Sequence, residues 1–343
     1  MTLSYKSYQL QFKYPFGVSG YTRKETTSVF VRLEEGGVFG YGEACLPAYL
    51  VETENETIHF FNKTSNLVTK INSDSSIENL MEGLDAIDAH CNAAKAAIDI
   101  AYHDLCAKIK NQSFCEWKNI EPTNGVETSI TIGIDSEKIL LQKLEECRDF
   151  KLLKIKAGTK DDKLLIEFIR KHTNQALYID VNQGWKTKEE AARMSDWLSK
   201  KNVLLLEQPL SKTMDDEMEW LTARSQIPTF ADESIKRLKD LEKIGRSFSG
   251  INIKLMKCTG IQEAIKMIAY CKKHKLKILL GCMAESACGT SAMAQLMTYA
   301  DFVDLDAPLL YSNNPFDGVV YENGKIYLQR GIGINAVPNR NLF

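Results

Sequence analysis

Apolar and polar residues alternate along the first part of the chain, and this pattern predicts β-strands. The alternation covers 5–13, 28–34 and 38–43, and Gly36-Gly37 fits a hairpin turn between the last two strands. Between the first two strands we predict a glycine-punctuated loop at 17–24. Such a loop can close over a ligand, and a plain connection is the alternative.

The period then becomes helical. In 92–110 the apolar residues Ala94, Ile98, Ala101 and Leu105 recur at spacings of four, three and four, which is typical of one face of an α-helix. The segment 119–125, which contains a proline and a glycine, predicts the end of this first α+β unit.

The rest of the chain alternates strands with amphipathic helices, at intervals of about 22 to 28 residues. The predicted strands are 127–133, 151–157, 176–181, 203–207, 228–232, 250–256, 276–281 and 302–306. Short, continuously apolar strands separated by helices indicate a parallel sheet, and eight of them favour a closed barrel. An open doubly wound sheet is the alternative, but no G-x-G-x-x-G follows an early strand.

Composition narrows the function classes. The 343 residues carry 43 basic and 45 acidic side chains, a net charge of −2 that offers no electrostatic case for nucleic acid or a membrane surface. Nine cysteines without a C-x-x-C pair argue against a disulfide framework and a structural zinc site. The N-terminus lacks the pattern of a signal peptide, so we expect a soluble cytoplasmic protein.

Candidate chemistry lies at the predicted strand ends, because parallel strands of a barrel end at one mouth, where function collects. The residues there are Lys154, Lys156, Asp180, Glu207, Asp232, Lys254, Asp304 and Asp306. Each has a structural alternative: a solvated strand face for the lysines, and helix caps or salt bridges for the carboxylates. Glu207 is harder to explain in this way, since it closes a run of apolar residues and would be costly to bury without a partner.

Three carboxylates in succession, Asp180, Glu207 and Asp232, suggest a site for a hard cation such as Mg²⁺. A lysine beside a divalent cation and a second ammonium group has a lowered pKa and can act as a general base.

Five motifs in this order resemble the enolase superfamily, muconate lactonizing enzyme subgroup. They are Lys154-x-Lys156, Asp180-x-Asn182, Glu207-Gln208-Pro209, Asp232-Glu233-Ser234 and Asn252-x-Lys254. The resemblance implies an α/β fold, a modified TIM barrel (β/α)7β with an α+β capping domain. On this basis we expect the capping domain at 1–120, the barrel at 121–316, and a C-terminal segment at 317–343 that returns to the capping domain.

The resemblance also implies roles for individual residues. One Mg²⁺ would be held by Asp180, Glu207 and Asp232, and would stabilise an enediolate formed when a substrate loses its α-proton. Lys156 and Lys254 would be the bases on opposite faces in a 1,1-proton transfer. The supporting residues would be Lys154 and Asn182. A lysine at 254 disfavours a dehydratase, which would typically place a His–Asp dyad there.

The last strand suggests the substrate class. In dipeptide epimerases of this subgroup a D-x-D motif, here Asp304-x-Asp306, binds the substrate's α-ammonium group; the alternative is that these carboxylates cap a turn and bind a backbone amide. The resemblance thus implies a dipeptide epimerase acting on an Ala-X dipeptide. Other lyases and isomerases of the subgroup, such as o-succinylbenzoate synthase, a cycloisomerase or an N-acyl amino acid racemase, remain alternatives.

Few residues of the sequence bear on the side chains of the dipeptide. Arg23 resembles an arginine that pairs with an acidic side chain in Ala-Glu epimerases, and Lys24 could serve similarly, which favours Ala-Glu from peptidoglycan turnover. Hydrophobic or cationic side chains stay open. Glu285 receives no role, and the sequence leaves the oligomeric state open, a homo-oligomer included.

Overall fold

The chain begins with a three-stranded antiparallel sheet. The computed structural model describes residues 1–18 and 21–343, and its first strands are β1 (Thr2–Val18), β2 (Tyr21–Glu35) and β3 (Val38–Leu46), paired in that order. The predicted turn at Gly36-Gly37 is confirmed, since both residues have positive φ.

The predicted loop at 17–24 is wrong in extent. Gly17 pairs with Thr22 and Val18 with Tyr21, so the two strands continue into this segment. Ser19 and Gly20 lie outside the described residues. Backbone pairing explains the difference, because it uses main-chain groups that are the same for polar and apolar residues.

Four helices follow the sheet: α1 (Glu54–Val68), α2 (Ile77–Ile87), α3 (Asn92–Ile109) and α4 (Phe114–Lys118). The prediction of a helix at 92–110 is confirmed, and α3 packs on β2 and β3 of the sheet. The sheet can approach α3 closely because Gly40 and Gly42 lie on one face of β3, where a Cβ atom on Gly42 would come within 1.9 Å of the Ala97 carbonyl oxygen. Among the described residues, no helix is long and apolar enough to cross a membrane.

A two-residue strand, β4 (Val126–Glu127), leads into a parallel sheet of eight strands. In spatial order these are β5 (Ser129–Ile132), β6 (Leu152–Lys156), β7 (Ala176–Asp180), β8 (Val203–Glu207), β9 (Thr229–Ala231), β10 (Gly250–Ile253), β11 (Lys277–Gly281) and β12 (Phe302–Asp304). The helices between them are α5 (Glu137–Glu146), α6 (Asp162–His172), α7 (Lys188–Leu198), α8 (Asp215–Thr222), α9 (Leu238–Ile244), α10 (Leu255–Cys258), α11 (Ile261–His274) and α12 (Ala287–Ala294). Two short 3₁₀ helices, Met297–Tyr299 and Ala307–Leu310, flank β12.

All eight predicted strands are present, but two of them end more than one residue earlier than expected. β10 stops at Ile253 because the chain turns at Lys254 into the short helix α10. β12 stops at Asp304, since Asp306 has right-handed φ and ψ angles and begins a 3₁₀ turn. Local propensity predicts neither end, because apolar residues recur beyond each one, Leu255 and Met256 after β10 and Leu305 after β12.

Side chains join the first and last strands of the sheet, so that it forms a near-closed barrel. Ser129 donates a hydrogen bond from its hydroxyl to Asp304 Oδ1 at 2.7 Å, and the Thr131 backbone N–H donates to Asp306 Oδ2 at 2.6 Å. The Leu305 backbone N–H donates to the Thr128 hydroxyl at 2.9 Å. The predicted fold, a barrel with an α+β capping domain, is therefore confirmed.

The C-terminal segment forms small strands that pack beside both the N-terminal region and the barrel. They are β13 (Phe316–Asp317), β14 (Val320–Glu322), β15 (Lys325–Tyr327) and β16 (Val337–Pro338); β15 pairs with β4 and β13 with β16. Near the C-terminus, Gly333 exchanges backbone hydrogen bonds with Gln112 and Phe114. The Ile334 N–H donates to Asp104 Oδ1 at 2.9 Å. The division at residues 120 and 316 stays a prediction.

Two buried carboxylates fix the N-terminal sheet and α3 to barrel helices. Asp99 on α3 accepts hydrogen bonds from the backbone N–H groups of Ile261 and Gln262, at the start of α11. Glu43 on β3 accepts from the N–H groups of Ser286 and Gly289, both at 2.9 Å, at the start of α12. Because the first N–H groups of a helix have no partner inside it, each carboxylate satisfies donors that would otherwise be buried without acceptors.

The contact between β3 and α3 gives a prediction about stability. Gly42→Ala should lower the free energy of unfolding by about 1–3 kcal/mol or more, because the added methyl group meets backbone atoms that cannot rotate away. Gly83→Ala is the matched control: its Cβ would meet the end of the Leu67 side chain, and alanine favours the helix. Urea denaturation of both variants checks this, and equal stability of Gly42→Ala and wild type would contradict the proposed packing.

Candidate active site

A cavity of about 410 Å³ lies at the carboxyl ends of the barrel strands, beneath the segment between β3 and α1. Tyr49, Leu50 and Val51 of that segment form one wall. The barrel contributes Lys156, Asn182, Gln183, Lys212, Asp232, Glu233, Ile235, Lys236, Lys254, Lys257 and Met283. The cavity therefore combines an apolar wall from the N-terminal region with a charged floor from the barrel.

Three predicted carboxylates lie on successive strands. Asp180 ends β7, Glu207 ends β8 opposite Asp180 in the strand pairing, and Asp232 follows directly after β9. All three are buried, with 5% of the surface of Asp232 exposed and none of the other two. Since consecutive parallel strands place their ends side by side, the three carboxylates lie at neighbouring strand ends at one mouth of the barrel, as the sequence predicted.

The ammonium group of Lys154 lies among these acids. Its Nζ is 2.7 Å from Glu207 Oε2, 2.8 Å from Asp304 Oδ2 and 3.2 Å from Asp180 Oδ2. Lys154 is 3% exposed, so the solvated-face alternative is wrong for this lysine. It connects acids of the central strands to β12 across the interior of the barrel.

Two further predicted lysines flank the carboxylates. Lys156 ends β6, and its Nζ is 2.7 Å from Asp180 Oδ2 and 3.3 Å from Asn182 Oδ1. Lys254 follows β10, and its Nζ is 2.7 Å from Asp232 Oδ2 and 3.8 Å from Glu207 Oε1. Since β6 and β10 are four strands apart in an eight-stranded barrel, the two amines approach the cavity from opposite sides.

The charges of the site depend on this pairing. Burial opposes ionisation of Asp180 and Asp232, but the neighbouring ammonium groups outweigh it and lower the pKa of both carboxyls. Burial and the adjacent Asp180 raise the pKa of Glu207. For Lys254, the carboxylates of Asp232 and Glu207 outweigh burial and raise its pKa.

The donor set suits a hard cation. Three buried carboxylates from neighbouring strand ends are oxygen ligands of the type that Mg²⁺ takes. Within the described residues they do not form a cluster around one point. The ammonium group of Lys154 contacts Asp180 and Glu207, and that of Lys254 contacts Glu207 and Asp232. Glu207 Oε2 and Glu233 Oε2 have no hydrogen bond of good geometry, although Lys154 lies close to the first. These buried carboxylate oxygens therefore require a nearby positive charge and further hydrogen-bond donors.

Lys257 lies on the cavity floor, although no role was predicted for it from the sequence. Its Nζ donates to the Asp232 carboxylate, to the Asp232 carbonyl oxygen at 2.7 Å and to the Asn252 carbonyl oxygen at 3.1 Å. The strand predicted to run through residue 256 gave no indication that Lys257 contacts Asp232. Residues three apart share a face in α10 but would not in a strand, so Lys257 and Lys254 both reach Asp232.

Amide side chains hold the strand ends in place. Gln208 accepts hydrogen bonds from the N–H groups of Asp232 and Ser234 at 3.0 and 3.1 Å, and Asn252 donates to Glu207 Oε1 at 2.8 Å. Asn182 donates to Glu233 Oε1 at 3.1 Å. Asn182 and Gln208 have positive φ, a strained conformation for residues with a Cβ atom, which is common at functional sites.

Asp304 and Asp306 lie below the cavity and do not contribute to its described lining. Asp304 binds Lys154 and Ser129, and Asp306 binds the Thr131 N–H, so both carboxylates turn toward the first barrel strands. Burial and the adjacent Asp304 raise the pKa of Asp306 to about 6.

The side chain of Arg23 lies beside the cavity wall. Its guanidinium carbon is 5.2 Å from the ring centroid of Phe12 and 5.3 Å from that of Tyr49, and its Nη1 donates to the Thr26 hydroxyl at 3.2 Å. Lys24 is exposed and does not line the cavity. The structure thus places Arg23, and not Lys24, next to a cavity residue.

Glu285 is buried after β11, and its Oε2 accepts a hydrogen bond from the Met283 N–H at 2.6 Å. Burial and the neighbouring Glu43 raise its pKa to about 8. No chemical role follows from these contacts.

Known proteins share this architecture along nearly the whole chain. Residues 139–341 match the family described as Enolase C-terminal domain-like, and residues 2–117 match the Mandelate racemase / muconate lactonizing enzyme, N-terminal domain. A similar solved structure is the dipeptide epimerase from Enterococcus faecalis complexed with Mg and the dipeptide L-Leu-L-Tyr. It is 30% identical, has a TM-score of 0.91, and the match covers 98% of this chain and 99% of that one.

Curated relatives extend the similarity. The L-Ala-D/L-Glu epimerase of Bacteroides thetaiotaomicron is 39% identical over 340 residues, covering 98% of this chain and 88% of the relative. The L-Ala-D/L-amino acid epimerase of Maribacter sp. is 33% identical over 329 residues, covering 95% and 96%. The chain therefore belongs to the enolase superfamily, in the group of mandelate racemase and muconate lactonizing enzyme.

Proposed function

We propose that this protein is an isomerase, a Mg²⁺-dependent dipeptide epimerase that inverts the α-carbon of the C-terminal residue of an Ala-X dipeptide. The observation that carries the proposal is the placement of Lys156 and Lys254 on opposite sides of a cavity whose floor holds buried carboxylates. The names of the relatives from Bacteroides and Maribacter, both epimerases of Ala-containing dipeptides, support the same reaction class.

The two lysines would carry the proton chemistry. A neutral amine on one face removes the α-proton and becomes an ammonium group, which leaves an enediolate of the substrate. The ammonium group of the other lysine then donates a proton to the opposite face of that carbon, so its configuration is inverted. Lys156 and Lys254 would exchange these roles for the reverse reaction. Lys154, which is fully engaged with carboxylates, would stay charged and support the site electrostatically.

Asp180, Glu207 and Asp232 would hold one Mg²⁺, which would stabilise the negative charge that develops on the substrate when the α-proton leaves. The chemistry of the donor set and the Mg found with the Enterococcus relative support this assignment. Asn182, whose amide lies between Lys156 and Glu233, would hold these groups in place on the β7 side.

Asp304 and Asp306 would bind the substrate's α-ammonium group. Asp304 already accepts an ammonium group, that of Lys154, which supports its suitability for such a partner. Its strand, β12, lies four strands from β8, so an ammonium group near β12 and a carboxylate near Glu207 would orient a dipeptide across the barrel.

An acidic C-terminal side chain is our preferred specificity, with Ala-Glu as the favoured dipeptide. Arg23 supports it, since a guanidinium group that contacts two aromatic rings beside the cavity can pair with a carboxylate. The apolar cavity wall, and the L-Leu-L-Tyr bound by the Enterococcus relative, make hydrophobic dipeptides the specific alternative.

Hydrogen–deuterium exchange tests the reaction. We expect incubation of the enzyme, Mg²⁺ and L-Ala-L-Glu in D₂O to introduce deuterium at the C-terminal α-carbon, followed by appearance of L-Ala-D-Glu, measured by NMR. N-acetyl-L-Ala-L-Glu, which lacks the ammonium group, should exchange at least about 10-fold more slowly because a charge-assisted bond is lost. L-Leu-L-Tyr in the same assay compares acidic with hydrophobic side chains.

Absence of exchange with every dipeptide of a broad library would contradict the proposal. Faster exchange of N-succinyl amino acids than of free dipeptides would instead assign the protein as an N-acyl amino acid racemase.

Single-lysine variants test the two bases. Lys156→Ala and Lys254→Ala should each reduce epimerisation by about 10²–10⁴-fold, because each removes one general acid or base. Each variant should still exchange the α-proton of one epimer, and the two variants should retain opposite epimers. Lys151→Ala is the control. Lys151 directly precedes β6, the strand that ends at Lys156, but it pairs with Glu127 at the surface. Full turnover by either active-site variant would rule out its lysine as a base.

Metal binding can be measured apart from activity. Asp180→Asn should weaken Mg²⁺ binding at least about 10-fold in isothermal titration calorimetry, since one anionic ligand is lost. Asp135→Asn, which alters a partly buried carboxylate paired with Lys143, should leave the affinity unchanged. Equal affinities for the wild type and Asp180→Asn would remove Asp180 from the ligand set.

A further inference from the structure

The loops that follow β6 and β7 pack against each other with no space for a side chain between them. Gly158 has φ +93°, and a Cβ atom there would lie 2.2 Å from the Val181 carbonyl oxygen. A Cβ atom on Gly184 would lie 2.2 Å from the Gly158 Cα. The two loops therefore touch through their backbones, immediately after Lys156 on one side and Asn182 on the other.

One buried carboxylate connects the two loops through hydrogen bonds. Asp162, at the start of α6, is 3% exposed and receives four hydrogen bonds. The donors to Oδ1 are the Thr159 N–H at 2.8 Å and the Thr159 hydroxyl at 3.0 Å, and those to Oδ2 are the Gly158 N–H at 3.0 Å and the Trp185 indole N–H at 2.9 Å. Trp185, 2% exposed, belongs to the loop after β7, so Asp162 joins the two loops directly.

We infer that Asp162 and Trp185 are positioning residues for Lys156, an inference that rests on the proposed function. A lysine side chain has four rotatable bonds, and a base misplaced by about 1 Å loses much of its rate, so its backbone must be fixed. The Asp162–Trp185 bond fixes the chain two residues after Lys156 to the loop that carries Asn182 and follows Asp180, the two residues that bind the Lys156 ammonium group.

The Asp162–Trp185 hydrogen bond lies on the side of the barrel that carries Lys156. Lys254 lies on the opposite side and begins α10, where its neighbours are Asp232 and Glu207 rather than the loops after β6 and β7. Loss of the Asp162–Trp185 bond should therefore disturb one base and spare the other. An effect confined to one face separates positioning from a general loss of stability, which would slow both faces equally.

The experiment measures exchange of the α-proton in D₂O from each of the two epimers of the dipeptide, at saturating Mg²⁺. The Lys156→Ala variant first identifies which epimer depends on Lys156. Trp185→Phe removes the N–H donor and keeps an aromatic ring; it should slow exchange of that epimer about 10-fold relative to the other, the size expected for loss of a bond to a charged acceptor. Trp197→Phe, on the outer helix α7 where its ring lies beneath Lys163 and Lys201, should leave the ratio unchanged.

Asp162→Asn is the second variant, which keeps the inference testable if Trp185→Phe does not fold. An amide offers one acceptor oxygen where four donors require two, so this variant should change the ratio in the same direction. Hydrogen-exchange mass spectrometry should show faster amide exchange at 157–162 and 182–187 in both variants, with Trp197→Phe unchanged.

The outcomes distinguish this inference from the proposed function. A wild type that exchanges both epimers, together with variants that keep its ratio or lose both faces equally, overturns the positioning role and leaves the epimerase proposal intact. A wild type that exchanges neither epimer of any dipeptide contradicts the epimerase proposal itself, and with it the assignment of Lys156 as a base to be positioned.

Discussion

Compensation of buried charge is the constraint on which the rest of the structure depends. Asp180, Glu207 and Asp232 end successive strands inside the protein, where an unpaired carboxylate would be too costly to keep ionised. The amines of Lys154, Lys254 and Lys257 meet this need in the structure described, at distances typical of strong ion pairs. A barrel that gathers acids at its mouth must also gather cations, and the same cations serve the chemistry we propose.

The position of the N-terminal region follows from the same physics. Asp99 and Glu43 are fully buried, and each is compensated by the first N–H groups of a barrel helix rather than by a lysine. These contacts place the segment with Tyr49 over the barrel mouth, so the cavity is closed on one side by residues far from the catalytic strands in sequence. The apolar wall of the cavity and its charged floor thus come from separate parts of the chain.

Dense packing around the buried carboxylates also holds the strand ends rigidly in place. Gly158 and Gly184 allow two loops to touch, and Asp162 collects four donors from them. Asn182 and Gln208 adopt left-handed backbone angles while their amides bind neighbouring strand ends. Strain of this kind persists where surrounding contacts over-determine the backbone, and here it surrounds the proposed bases.

The sequence by itself determined the succession of strands and helices and the residues at the strand ends, because hydrophobic period and chemical type are local properties. It therefore predicted the barrel and drew attention to Lys156, Asp180, Glu207, Asp232 and Lys254. It could not predict that β10 ends at Ile253, which turns Lys257 onto Asp232, or that Asp304 would hold Lys154 across the barrel. Those contacts join residues up to 150 positions apart in the chain. Tertiary structure decided them, because strand closure and buried-charge pairing depend on which distant groups meet.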